Sequence, residues 1–291
     1  MRRPEKVAMH FHFDFSANQI LWTLTFAGLL VLLVVLLGRD RVRRFPWFTA
    51  AMTMMALRMV ASRLLFGRMA PVVSSEVFLI FADIAAIIAL LVVVEMARRA
   101  FAGAKRTAWV TAILIVLGVS AAVLVEWGPW PSPKTLFATS TLAALRLMQL
   151  FAQKADLLAD LLVVQLGVLV VLFGRRFNAG WRSHTQKIVI GLSTGSIAQL
   201  GVRIAWQEIA LHTTIRSQAE YQRVMSLQEK FYNANNVVYL VVLVWWIVWL
   251  WLDEPGAKTP DTIAADAASS TKGKVSLSDH SENSAKLEPS S

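Results

Sequence analysis

KIVIGLSTGSIAQLGVRIAWQ, Lys187 to Gln207, is long enough to cross a bilayer as a helix and is the most polar of the stretches that are. Gly191, Gly195, Gln199, Arg203 and Gln207 follow one another at four-residue steps, so on a helix they form one slowly winding stripe. Two glycines at that spacing let a second backbone come close in lipid. An arginine well inside a span costs at least ~2.5 kcal/mol on insertion scales unless it finds a partner or water. The stretch therefore predicts a membrane helix packed against other helices, with Gly191 and Gly195 as packing positions.

The rest of the chain agrees with that reading. Of 291 residues, 56% are hydrophobic and only 16% charged, where a soluble domain carries about a quarter charged residues. Apolar runs of roughly 18 residues or more recur along the sequence, the signature of transmembrane helices. Period-two alternation is absent, which argues against a membrane barrel. The fold class expected is all-α: a polytopic membrane protein of seven transmembrane helices. The net charge of +10 sits in short loops beside apolar runs, as the positive-inside bias produces, so nucleic acid is not an expected partner. There is no cysteine, which removes disulfides, thiol catalysis and thiolate metal sites. Arg2, Arg3 and Lys6 resemble the start of a signal peptide, but the apolar run begins near Ile20 and spans fully, so it reads as a retained first span.

The spans expected are about 19–37, 46–66, 76–97, 107–126, 154–173, 187–207 and 237–252, after an external leader, 1–18, and before a tail, 253–291, whose Ala, Ser, Lys, Asp and Glu show no packing pattern. Such a tail is expected to be disordered. Basic residues gather in alternate loops: Arg39, Arg41, Arg43 and Arg44; Arg98, Arg99, Lys105 and Arg106; Arg175, Arg176, Arg182 and Lys187. Those loops are expected to be cytoplasmic, which puts the N-terminus outside and the tail inside, in a plasma membrane of the bacterial inner-membrane kind. Leu136 to Phe173 reads as one helical stretch of about 57 Å, roughly twice the hydrocarbon thickness. It must project or break near Gln153, and projection or an interfacial segment is the better expectation. Gln207 to Asn236 reads as a polar, helix-prone connection.

Chemistry would sit at ionisable groups inside the spans. Arg58, Arg63 and Arg203 balance Asp83, Asp156 and Asp160, and such charges must converge between helices or meet water. The expected meeting place lies between the second, third, fifth and sixth spans, open to the outside. The set reads in two ways: a polar pocket for a small ligand, ion or proton, or buried ion pairs that brace the helices. Arg203, flanked by Gln199 and Gln207, would suit a small anionic ligand, since guanidinium makes forked hydrogen bonds to carboxylate or phosphate.

Other features are weaker. His10, His12 and Asp14 carry ligand-type groups at two-residue spacing, but a lone pattern of this kind predicts no metal site. His184 and His212 are expected to face solvent. Glu95 is explained by a local helix pair with Arg98 and Arg99. The methionines of the second span (Met52, Met54, Met55 and Met59) read as packing. Trp245, Trp246, Trp249 and Trp251 read as lipid anchors and helix packing. No cofactor is expected. The last span contains no lysine, so a retinal Schiff base of the rhodopsin kind cannot form there, and no catalytic constellation points to an enzyme.

A basic loop entering RFPWF (Arg44 to Phe48), a third span ending VEMARRAF (Val94 to Phe101), and a last span ending Asp253-Glu254-Pro255 together resemble uncharacterised seven-span bacterial inner-membrane proteins. The resemblance implies no activity. Taken as a whole, the sequence predicts a receptor-like or sensory membrane protein. The alternatives are a small transporter or channel component, or a structural subunit that meets a membrane-protein partner or a second copy of itself.

Overall fold

The structure is a computed structural model and describes residues 17–65, 68, 70–102, 106–128, 130–131, 140–173, 183–213 and 217–253. The leader's histidines and the C-terminal tail lie outside the described residues. The chain divides into two units, Met1–Leu252 and Asp253–Ser291, and of the second only Asp253 is described. Every regular element among the described residues is an α-helix: α1 Ala17–Gly38, α2 Arg41–Arg44, α3 Pro46–Leu65, α4 Pro71–Ala100, α5 Arg106–Glu126, α6 Thr141–Phe173, α7 His184–His212 and α8 Gln218–Trp251. Six of them (α1, α3, α4, α6, α7 and α8) are long and apolar enough to cross a membrane, and α5 adds a shorter apolar stretch, Val110–Glu126. The described residues are thus all-helical, and their long apolar helices suit a multi-pass membrane protein.

The six long helices pack as a closed ring in the order α1, α3, α4, α6, α7, α8 and back to α1, while α5 stands outside it against α6. Lys154 fastens α5 there. Its ammonium donates to Leu124 O at 3.0 Å and also to Trp127 O, and lies 4.5 Å from the centre of the Trp130 ring. A lysine is well suited to satisfy the orphan carbonyls at a helix C-terminus.

Helix lengths differ from the expected spans for local reasons. α6 runs unbroken from Thr141, so no break occurs at Gln153. The expected connection from Gln207 to Asn236 is mostly helix: α7 continues to His212 and α8 begins at Gln218. Ser217 and Glu220 start α8 with a reciprocal capping box, both bonds 3.2 Å long, which satisfies donors that would otherwise be orphaned. At about 1.5 Å per residue, α6 and α8 each reach about 50 Å, well beyond a hydrocarbon core of about 30 Å.

The core is concentrated at one end of the ring, where α2 and the ends of α1, α4 and α8 lie. Leu32, Val35, Leu36, Phe45, Phe48, Val92, Met96, Val170, Ile188, Val189, Leu243, Trp246 and Leu250 are buried together. Close approach makes this packing: a Cβ on Gly191 would collide with the Trp246 indole, and one on Gly167 with the Ser193 side chain. Trp246 meets Phe48 edge-on with ring centres 5.1 Å apart, the favoured arrangement of two aromatic quadrupoles. Gly195 differs from Gly191, since nothing lies within 4 Å of its would-be Cβ. It is not a close-packing position.

Polar groups at this end are tied into the packing. Phe48 N–H donates to Glu95 Oε2 at 3.1 Å, and Arg99 Nη2 lies 3.4 Å from Glu95 Oε1. Glu95 therefore does more than form a local pair: its carboxylate caps the start of α3, where the helix dipole favours a negative charge. The two motifs RFPWF and VEMARRAF are joined by this contact. His184, expected in solvent, is buried at the first position of α7 together with Thr185, Gln186 and Lys187. The reason is that α7 starts inside the bundle, with Ser183 Oγ accepting from Gln186 N–H at 3.2 Å. The Lys187 ammonium lies 4.0 Å from the Trp249 ring centre and 5.2 Å from that of Trp245, and Trp245 Nε1 donates to Lys187 O at 3.2 Å. These tryptophans serve as cation-binding faces.

Candidate functional site

Asp156 and Asp160 stand four residues apart on α6, so both carboxylates project from one face. Arg203 on α7 meets them from across the helix pair: its Nη2 lies 3.7 Å from Asp156 Oδ2 and 3.5 Å from Asp160 Oδ2. Its Nη1 donates to Gln153 O at 3.4 Å. Asp160 also takes a hydrogen bond from Ser196, one turn below Gln199 on α7. The charges of Arg58 on α3 and Asp83 on α4 act on Asp156 as well. Five of the sequence-predicted residues, Arg58, Asp83, Asp156, Asp160 and Arg203, thus form one electrostatic cluster across α3, α4, α6 and α7.

Two predicted members fall outside it. Arg63 turns to α1, where its guanidinium lies 4.9 Å from the centre of the Trp22 ring. A planar cation at the edge of a membrane helix finds an aromatic face there rather than a carboxylate. Gln199 is half-buried on α7, and no hydrogen bond joins it to the cluster among the described residues.

The cluster is not balanced. Two arginines face three aspartates, so the cluster holds one carboxyl group more than it has guanidinium groups. Asp160 Oδ2 and Asp83 Oδ1 are buried and accept no hydrogen bond. Arg203 was expected to await an anion, but both of its acidic neighbours already occupy it, and a second anion there would meet their repulsion.

On its other side, Arg203 lines a cleft of about 520 Å³ between α7 and α8, within the usual 300–1,000 Å³ range for a small-molecule site. Val202 and Trp206 border it from α7; Met225, Gln228, Glu229, Phe231, Tyr232 and Asn235 border it from α8. Sequence reasoning missed this cleft because it treated the stretch before Val237 as a connection. The signal was available: Ser217 and Glu220 form a capping pattern, and Met225, Gln228, Glu229, Tyr232 and Asn235 recur at three- and four-residue steps.

Among the described residues no group of three or more His, Cys, Asp or Glu could hold a metal ion. The arrangement offers a charged floor, aromatic walls and amides, and no activated nucleophile among its lining residues. The chain matches no protein-family model, no curated protein and no solved structure.

Proposed function

We propose that this chain is a receptor-like, seven-span protein of a bacterial inner membrane, with its N-terminus outside, that binds a small molecule from the outside at Arg203. α5 is the seventh span in this reading. The supporting observation is the position of Arg203, which both closes the acidic cluster with Asp156 and Asp160 and lines the cleft against α8. Occupancy of the cleft therefore bears on an ion pair that joins α6 to α7. In this reading the ligand lies on the α6–α7–α8 side of the ring, beside the charged cluster that spans α3, α4, α6 and α7. The basic residues Arg39, Arg43, Arg98 and Arg99 lie at the opposite end of the helices, which suits a cytoplasmic face.

The absence of cysteine makes the orientation directly testable. Single variants Thr213→Cys and Arg98→Cys, both at exposed positions, are treated in intact cells with a membrane-impermeant maleimide. Thr213→Cys should label and Arg98→Cys should label only after lysis. Labelling of Arg98→Cys alone in intact cells overturns the orientation and with it the external site.

A second reading has its own support in the buried, hydrogen-bond-free oxygens of Asp83 and Asp160. Carboxylates in such surroundings are where proton-coupled carriers bind protons. Reconstituted vesicles carrying wild type or Asp160→Asn decide it: proton-driven uptake lost in the variant supports a transporter, and equal behaviour of the two removes it.

A further inference from the structure

We infer that the cleft between α7 and α8 takes a small organic cation, an alkylated amine carrying an apolar or aromatic group. The inference rests on the external-site reading above and names its ligand class. Three aromatic residues, Trp206, Phe231 and Tyr232, line the cleft with Glu229. Aromatic faces attract cations through the ring quadrupole, and quaternary ammonium groups are the ligands such walls recognise best. Glu229 is exposed on its far side and supplies a carboxylate at the rim.

Among the described residues Arg203 is the one cation in the lining, and its charge is already answered. Asp156 and Asp160 sit at 3.7 and 3.5 Å from it, so two carboxyl groups answer one guanidinium, and Glu229 adds a third carboxyl group. An anion entering the cleft meets this excess of carboxyl groups. A cation is attracted by it, and by any ring face it meets. The volume of about 520 Å³ exceeds what a bare amine fills, so the ligand carries apolar bulk that can lie against Met225 and Val202.

Benzyltrimethylammonium chloride is the probe, with 3,3-dimethylbutanol as a neutral control and benzoate as an anionic one. Thermal unfolding and titration calorimetry are recorded on the full chain in nanodiscs. Benzyltrimethylammonium should raise the unfolding temperature of wild type, and neither control should. Trp206→Ala and Glu229→Gln should each weaken the affinity by roughly tenfold, while Trp206→Phe keeps most of it. Both affected positions border the cleft without entering the buried core, so folded protein is expected from both. Binding of benzoate in place of the cation, lost in Arg203→Gln, overturns the cation assignment and leaves the external site standing. No response to the cation up to millimolar concentration also overturns it. Labelling from the wrong side in the cysteine experiment removes the external site itself, so the two failures are told apart.

Discussion

The two ends of the helical ring differ in packing: the basic end holds the buried core, and the far end opens into a cleft. At the basic end, Glu95 has the α3 amides and Arg99, and Lys187 has two indole faces. Glycines let the backbones close over these contacts. At the other end Arg203 is shared between two aspartates and a cleft opens beside it. Buried polar atoms without a hydrogen bond occur at both ends among the described residues, Gln186 Oε1 and Trp246 Nε1 at the first and Asp160 Oδ2 at the second. Local stability in a protein follows packing and satisfied hydrogen bonds, and binding regions are drawn from the less stable part. The basic end is the frame and the far end is free to respond.

Breaking the frame should therefore cost more than breaking the responsive end. Glu95→Ala removes both the cap of α3 and the partner of Arg99 and is expected to cost about 3 kcal/mol, seen as a large fall in unfolding temperature or a loss of the monodisperse peak in detergent. Gln at the same position keeps an acceptor and should lose less. If Glu95→Ala unfolds no earlier than Asp160→Asn, the contrast between the ends is wrong.

Gly191→Ala comes next, because its methyl group enters the Trp246 indole; overpacking of this kind costs about 2 kcal/mol. The same thermal assay reads it, and a neutral result would mean that α7 and α8 do not approach so closely.

Arg203→Gln is expected to cost only about 1 kcal/mol, since the pair with Asp156 is partly open to water and screened. Its sharper signature is coupling. Adding Asp160→Asn to Arg203→Gln should restore at least half of the loss, because the uncompensated carboxylate is then gone. Strictly additive losses in that double-mutant cycle would show that the two side chains do not pair.

Gly195→Ala gives the smallest effect, within about 0.5 kcal/mol, as a methyl there fills open space and alanine favours a helix over glycine. The difference between Gly191 and Gly195, one helical turn apart, measures how abruptly the frame gives way to the looser half.

How much of this was legible in the sequence depends on range. Apolar runs located the six helices that are long and apolar enough to cross a bilayer, and the shorter α5, because hydropathy is a local property. The cluster around Arg203 was legible too, since charges inside lipid must find each other and few candidates existed. What failed was anything settled by contacts distant along the chain or outside the hydrocarbon. Glu95 caps an amide 47 residues away, which no window around Glu95 contains. His184 is buried by where α7 begins relative to its neighbours. The extension of α8 back to Gln218 came from a capping box, a local signal that hydropathy alone passes over. Gly191 and Gly195 look identical as letters and differ only in whether an indole stands opposite.

The ring closes where α1 meets α8, with Leu243 Cδ1 lying 3.4 Å from where a Cβ on Gly28 would stand. The first and last helices of the ring are thus direct neighbours, and the seam between them joins the two most distant parts of the membrane domain. α8 packs against both α1 and α7, so without it that flank of the ring has no helix against it. The Gly191–Trp246 contact and the Lys187–tryptophan contacts depend on the same last helix. The part of the frame built from these contacts can close only once α8 is in place.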